Sequence, residues 1–183
     1  RGSSMYVKNI PTRADYEGPG KACFDWLFAR PEIDPDRVGL MGISMAGYYA
    51  PRVAAFEPRI KALVSWCGCY SILDDLYRFY DHLQPTVQRL LGGVSHEEAL
   101  KQLEAFTMKG LAGNIKVPTL ITHGANDRLM DVEGAKKLFA EIGAADKTLH
   151  IFDDPQEGGT VHCSHDCWAH HGPLIFDWIE EHV

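Results

Sequence analysis

The serine at position 44 stands among small residues in Gly42-Ile43-Ser44-Met45-Ala46-Gly47. It follows the short strand Arg37-Val38-Gly39-Leu40-Met41-Gly42 and precedes a helical pattern that begins at Met45. Where a strand enters a helix through so tight a turn, the residues two before and two after the serine must be small to avoid collision. Gly42 and Ala46 meet that need, and Gly47 is read as relieving the crowding further. Such a turn lifts the Ser44 hydroxyl above the sheet, aims the Met45 backbone N–H at a developing oxyanion, and adds the dipole of the following helix. That equipment suits nucleophilic attack on a carbonyl. The same pattern also fits a plain strand–helix junction, so its meaning depends on partners elsewhere.

A serine hydroxyl needs a base to take its proton, and the base needs an acid to hold its tautomer. The strand Thr119-Leu120-Ile121-Thr122-His123 runs into Gly124-Ala125-Asn126-Asp127, which makes Asp127 the candidate acid. Asp131 is the alternative, and it also suits the N-cap of a helix starting near Val132. A last strand, Lys147 to Phe152, is followed by a loop that reaches His162, the candidate base, with His165 as the alternative. His162, Cys163, His165, Cys167, His170 and His171 are a dense run of soft ligands that could hold zinc. The run contains no Cys-x-x-Cys pair, and the remote Cys67 and Cys69 fit the end of a buried strand better. The expectation is no metal and no cofactor.

The elements that position these residues alternate short apolar strands with longer helical patterns, the mark of parallel βαβ units. Helical spacing covers Asp15 to Arg30, and Pro31 closes it. Met45 to Phe56 reads as a helix that must tolerate or kink at Pro51. Ile60 to Trp66 reads as a strand buried on both faces. Between Tyr70 and Gly113 the alternation breaks into helical pieces, Leu73–Leu83 and His96–Phe106, joined by Pro85 and Gly92-Gly93. Val132–Ile142 is a further helix, and Pro173–Val183 the last, with Phe176, Trp178 and Ile179 expected in the core. The class is α/β: one catalytic domain over 1–183, a mostly parallel sheet flanked by helices, with a helical insertion at 70–113.

Composition narrows the partners. Hydrophobic residues make up 45% and charged residues 23%, as in a globular domain rather than a disordered one. A net charge of -7 without any basic run argues against nucleic acid. No apolar stretch approaches the ~20 residues of a membrane span, and no signal-peptide pattern opens the chain. Five cysteines make a poor disulfide framework, so reduced thiols and a cytoplasmic location are expected.

Taken together, these segments resemble the branch of α/β-hydrolases that contains 2,6-dihydroxypseudooxynicotine hydrolase, the FrsA-like esterases and the fungal polyketide-shortening hydrolases. The resemblance runs nearly end to end. It is carried by Asp15-Tyr16-Glu17, the elbow through Arg52, Phe56-Glu57-Pro58-Arg59, Ser65-Trp66-Cys67-Gly68, His123-Gly124-Ala125-Asn126-Asp127 and His162-Cys163-Ser164-His165. It implies an α/β-hydrolase fold with Ser44, Asp127 and His162 as a catalytic triad. It also implies a small-molecule substrate cleaved at an ester or at a carbon–carbon bond flanking a ketone. Carbon–carbon cleavage would need a proton for the leaving carbanion, and Asp74 or Asp75 could supply it from the insertion if they are not merely surface charges. The insertion would then be a lid, its aromatics Tyr70, Tyr77, Phe79, Tyr80 and Phe106 either lining the site or packing against the sheet. Two other readings stay open: an acyl-peptide hydrolase domain of the prolyl-oligopeptidase type, and a hydrolase-like binding domain.

The implied fold has about eight strands, whereas four are recognisable here. The expectation is therefore part of a longer hydrolase, lacking the strands that precede the first helix and the loop bearing a second oxyanion donor. Arg1-Gly2-Ser3-Ser4 resembles the end of a loop motif found in relatives, or else an expression tag. Loss of one such donor typically costs about 10²–10³ in kcat, so weak activity is expected from this chain alone. An unpaired sheet edge would favour a homodimer.

Overall fold

Leu63 and Val64 are adjacent in sequence yet belong to different cores, and so do Leu120 and Ile121. Alternation with a period of two places them on opposite faces of a sheet covered on both sides. The computed structural model describes residues 7–183, the side chain of His170 excepted, so the readings of Arg1–Ser4 and of His170 lie outside the described residues. Four parallel strands form the sheet in the order β1 (Gly39–Ile43), β2 (Ala62–Trp66), β3 (Thr119–Gly124) and β4 (Lys147–Phe152). Six α-helices are described: α1 (Glu17–Phe28), α2 (Ala46–Ala54), α3 (Gln84–Leu90), α4 (His96–Leu103), α5 (Val132–Glu141) and α6 (Trp168–His182).

The larger core joins α1, α2, α5 and the insertion to one face of the sheet. The smaller joins Val64, Trp66 and Leu120 to Ile175 of α6 on the other face. Every residue of β2 is buried, as its apolar run predicts, and so is every residue of β3.

Pro51 lies inside α2 without ending it. A proline cannot donate to the carbonyl four residues back, here Gly47. The Ser65 hydroxyl of β2 donates to that carbonyl at 2.8 Å instead, so the buried acceptor is satisfied and the helix continues. Several motif residues turn out to form ion pairs, of which one braces α2 against α1. Arg52 of α2 binds Glu17 of α1 through Nε at 2.7 Å, and Arg59 binds the buried Glu57 through Nε at 2.6 Å.

The insertion departs from the expected helical pieces. Leu73–Arg78 is a π-helix and Asp81–Leu83 a 3₁₀ turn, while Pro85 sits in the first turn of α3 rather than in a connector. Its ends are pinned together by Ile72 N–H to the Phe106 carbonyl at 2.9 Å and Met108 N–H to the Tyr70 carbonyl at 2.8 Å. The final helix begins at Trp168, five residues ahead of Pro173. Its buried stripe is centred on Ile175, with Trp178 and Ile179 beside it. Phe176, expected in the core, is 55% exposed.

Candidate active site

Ser44 has a positive φ of 59°, rare for a residue with a side chain and characteristic of a strained elbow. Its N–H donates to the Trp66 carbonyl at 2.8 Å, which locks the turn to the end of β2. A Cβ on Gly42 would overlap the carbonyl of Ala46, as the crowding argument requires. Gly47 has a different reason from the one expected: a Cβ there would collide with the backbone of Gly68, so it permits close approach to the chain leaving β2. Met45 follows at the N-cap of α2 and lines the same cavity as Ser44.

Asp127 and His162 reach Ser44 from the ends of β3 and β4. The Asp127 loop and the His162 loop are stitched together by the Asn126 N–H, which donates to the Thr160 carbonyl at 2.7 Å. His162 Nε2 lies 2.8 Å from Ser44 Oγ, and its Nδ1 lies 2.7 Å from Asp127 Oδ2. The other carboxylate oxygen of Asp127 accepts the N–H groups of Leu129 at 2.8 Å and Met130 at 3.0 Å. The structure thus brings together three residues drawn from positions 44, 127 and 162, in one chain of hydrogen bonds.

Burial alone would raise the pKa of Asp127, but the bonds from His162 and from the two N–H groups win and hold it below the usual carboxylate range. Burial alone would lower that of His162. Its hydrogen bond with Asp127 and the adjacent Cys163 outweigh that, and its pKa rises to about 9. An anionic acid beside an imidazole that readily accepts a proton is the electrostatic arrangement a serine base needs.

The alternatives fall elsewhere. Asp131 caps α5, accepting from the Glu133 N–H at 3.0 Å. His165 is exposed at the rim. Asp74 is spent on an exposed pair with Arg78 at 2.7 Å. Asp75 accepts the N–H groups of Tyr70 and Ser71, both at 2.8 Å, and burial raises its pKa to about 6. Neither carboxylate lines the cavity at Ser44.

That cavity holds about 440 Å³ and is walled by Leu76, Leu83, Val87 and Leu90 of the insertion. The insertion therefore faces Ser44 with aliphatic groups, while Tyr70, Tyr77 and Phe106 pack into the core. A larger apolar cavity of about 710 Å³, between α1, β1 and α2, contains none of the three hydrogen-bonded residues.

Three further residues lie beside these in an arrangement that the spacing did not show. His123 is fully buried, its Nδ1 is 3.1 Å from the Gly124 carbonyl oxygen, and its Nε2 lies 3.8 Å from Asp127 Oδ2 with no hydrogen-bond partner. Burial lowers its pKa and keeps it neutral. Cys67 and Cys163 meet behind His162, where the Cys163 N–H donates to Cys67 Sγ at 3.2 Å. Only the position of His123 and Cys67 at strand ends hinted at this. Among the described side chains of the soft-ligand run, His162 and Cys163 lie together, whereas His165 is exposed and His171 is buried against Ser164. Among the described residues, potential ligand atoms within 4.8 Å of one another belong to Cys67, His162 and Cys163, or to Cys67, His123 and Asp127. Both nitrogens of His162 are already engaged, so a metal there would have to displace Asp127 or Ser44. No helix among the described residues is long and apolar enough to cross a membrane.

The parallel sheet, the elbow at Ser44 and the loops after β3 and β4 define the fold as that of the α/β-hydrolases, a class of enzymes. A crystal structure of 2,6-dihydroxy-pseudo-oxynicotine hydrolase superposes with a TM-score of 0.84 at 26% identity, over 96% of this chain and 48% of the other. The chain belongs to the prolyl oligopeptidase family, whose model matches residues 21–183. It is 32% identical over 120 residues to 2,6-dihydropseudooxynicotine hydrolase of Paenarthrobacter nicotinovorans, spanning 63% of this chain and 31% of that protein. It is 39% identical over 96 residues to hydrolase ORFZ of Pyricularia oryzae, spanning 47% of this chain and 21% of that protein. The matched part is thus less than half the length of each of these relatives.

Proposed function

We propose that this chain carries the active site of a serine hydrolase, with Ser44 as nucleophile, His162 as base and Asp127 as the acid that orients it. The observation that carries this reading is the pair of bonds at His162, 2.8 Å to Ser44 Oγ and 2.7 Å to Asp127 Oδ2. His162 removes the Ser44 proton as Oγ attacks a carbonyl. Asp127 keeps the second proton on Nδ1 and stabilises the imidazolium. The Met45 N–H faces the oxyanion. His162 then protonates the leaving group, and water releases the acyl chain from Ser44 by the reverse sequence.

The substrate class that fits is a small apolar acyl compound, cleaved at an ester or at a carbon–carbon bond flanking a ketone. A cavity of about 440 Å³ with an aliphatic wall accommodates a compact acyl group. The placement of Asp74 and Asp75 leaves His162 as the group that would protonate a carbon leaving group. The family match and the relatives named as hydrolases support hydrolysis in general. The insertion acts as a lid in this reading, through Leu76, Leu83, Val87 and Leu90. Peptide bonds are the second reading, favoured by the family to which the chain belongs.

The test is to mix the protein with p-nitrophenyl acetate and quench early. The expected result is an acetyl group on Ser44, located by peptide mass, and lost with time. Acetylation of other residues with Ser44 unmodified would overturn the assignment.

A further inference from the structure

We propose that Cys67 and Cys163 are a reversible disulfide pair, closed by a hydroperoxide that enters through the cavity at Ser44, and that closing it disables His162. The second half rests on the function proposed above; the pairing does not.

None of the five cysteines is in a disulfide, and two of them meet at one place. Cys67 is the residue immediately after β2, and Cys163 is the residue immediately after His162. The N–H of Cys163 donates to Cys67 Sγ at 3.2 Å, and the two sulfurs and a His162 nitrogen all lie within 4.8 Å of one another. The other three thiols stand apart from this cluster: Cys23 is exposed on α1, Cys69 belongs to the larger core, and Cys167 lies against Gly158.

The pair is asymmetric in the way a two-thiol switch requires. Cys163 lines the cavity that contains Ser44, whereas Cys67 is not among its walls. A small oxidant entering by the substrate route therefore meets Cys163 first. The adjacent thiol of Cys67 and imidazole of His162 favour the Cys163 thiolate, the nucleophilic form. Cys67, buried beside that charge, is held as the neutral thiol.

The chemistry closes without any other reactant. The Cys163 thiolate attacks the hydroperoxide; an S–O bond forms, the O–O bond breaks, and the departing oxide is protonated to water or an alcohol. The Cys67 sulfur then attacks the Cys163 sulfenic acid. An S–S bond forms, the S–O bond breaks, and the hydroxide leaves as water with the Cys67 proton. Two thiols are oxidised and one hydroperoxide is reduced. A dithiol reverses the process by exchange.

Bonding requires the sulfurs to come within about 2.05 Å, drawing Cys163 toward β2. Cys67 and Cys163 both have positive φ, 46° and 51°, so the turns that carry them have little freedom to absorb the movement. His162 is one residue away and shifts with Cys163. A displacement of about 1 Å at a catalytic group costs roughly 10² in rate.

The experiment treats the reduced protein with hydrogen peroxide, blocks free thiols with iodoacetamide, and maps peptides with and without dithiothreitol. A fluorophosphonate is used in parallel to measure the reactivity of Ser44. The expected result is a Cys67–Cys163 linked peptide that dithiothreitol abolishes. Fluorophosphonate labelling should slow by about 10² in the oxidised form and recover on reduction. In Cys67→Ser, peroxide should leave a dimedone-reactive sulfenic acid on Cys163 and no link, while Cys69→Ser should still form the link. Oxidation of Cys163 to sulfinate without a link in the unsubstituted protein, or a link through Cys69 or Cys167, would overturn the pairing. A linked protein whose Ser44 reacts at the reduced rate would overturn the effect on His162. A link formed in a protein whose Ser44 never reacts would support the pairing and count against the serine-hydrolase reading instead.

Discussion

Gly124 packs its bare Cα against the carbonyl of Thr160, and a Cβ at that position would overlap the carbonyl group. This contact sets the spacing between the loop that carries Asp127 and the loop that carries His162. The Asn126 N–H bond to the same carbonyl, at 2.7 Å, depends on it.

Gly124→Ala should therefore push the two loops apart at the point where they are joined. The expected stability loss is about 1–3 kcal/mol, the usual cost of an inserted methyl group in a packed site. The separation of His162 from Asp127 should also cost roughly 10² in ester turnover. Thermal unfolding and kcat/KM on a p-nitrophenyl ester check both, and an unchanged kcat/KM would show that the loop spacing is not held by this contact.

Asp127→Asn keeps the shape of the site but offers a donor where His162 Nδ1–H needs an acceptor. A loss of about 10⁴ in kcat is expected, the scale seen when the tautomer of such a histidine is reversed. Asp131→Asn should leave kcat within a few-fold, since its side chain caps α5. Comparable losses from both variants would mean that Asp127 has no special role.

The three residues joined by hydrogen bonds, Ser44, His162 and Asp127, were legible because each follows a recognisable strand and the chain order is informative. Ser44 was readable from its small neighbours, and Asp127 and His162 from their places after β3 and β4. What stayed hidden depends on contacts between distant segments. Nothing near Pro51 announces that Ser65 rescues the Gly47 carbonyl, and nothing in the spacing of Cys67 and Cys163, 96 residues apart, shows that they touch. Pro173 suggested a helix start, because proline is common at that position. The helix begins at Trp168, and the i, i+3, i+4 stripe from Ile175 leaves Phe176 outside. Glu17, Arg52, Glu57 and Arg59 belonged to the segments that carry the resemblance, and they form ion pairs of the scaffold rather than parts of the site.

Ser65→Ala removes the donor that satisfies the Gly47 carbonyl. A buried acceptor left without a partner costs about 1–3 kcal/mol, and here it would also loosen the first turn of α2 behind Ser44. Chemical denaturation should show a lower midpoint with an unchanged slope. A midpoint equal to that of the unsubstituted protein would mean that the carbonyl finds another donor.

The pH profile follows from His162. Its pKa is raised from the ordinary imidazole value to about 9, and the neutral form is the base. Activity should therefore rise with pH and approach its plateau only in the alkaline range. The adjacent Cys163 contributes to the rise, so Cys163→Ala should move the midpoint of kcat/KM toward acid. A midpoint that stays in place in that variant would remove Cys163 from the electrostatics of the site.

Whether Ser44 is an activated nucleophile is read from the intact mass of the protein after exposure to a fluorophosphonate, with the adduct located by peptide mapping. A single adduct on Ser44, absent in Ser44→Ala and formed far more slowly in Asp127→Asn, is the predicted result. An adduct on another residue, or equal labelling of the Ser44→Ala variant, would contradict the account.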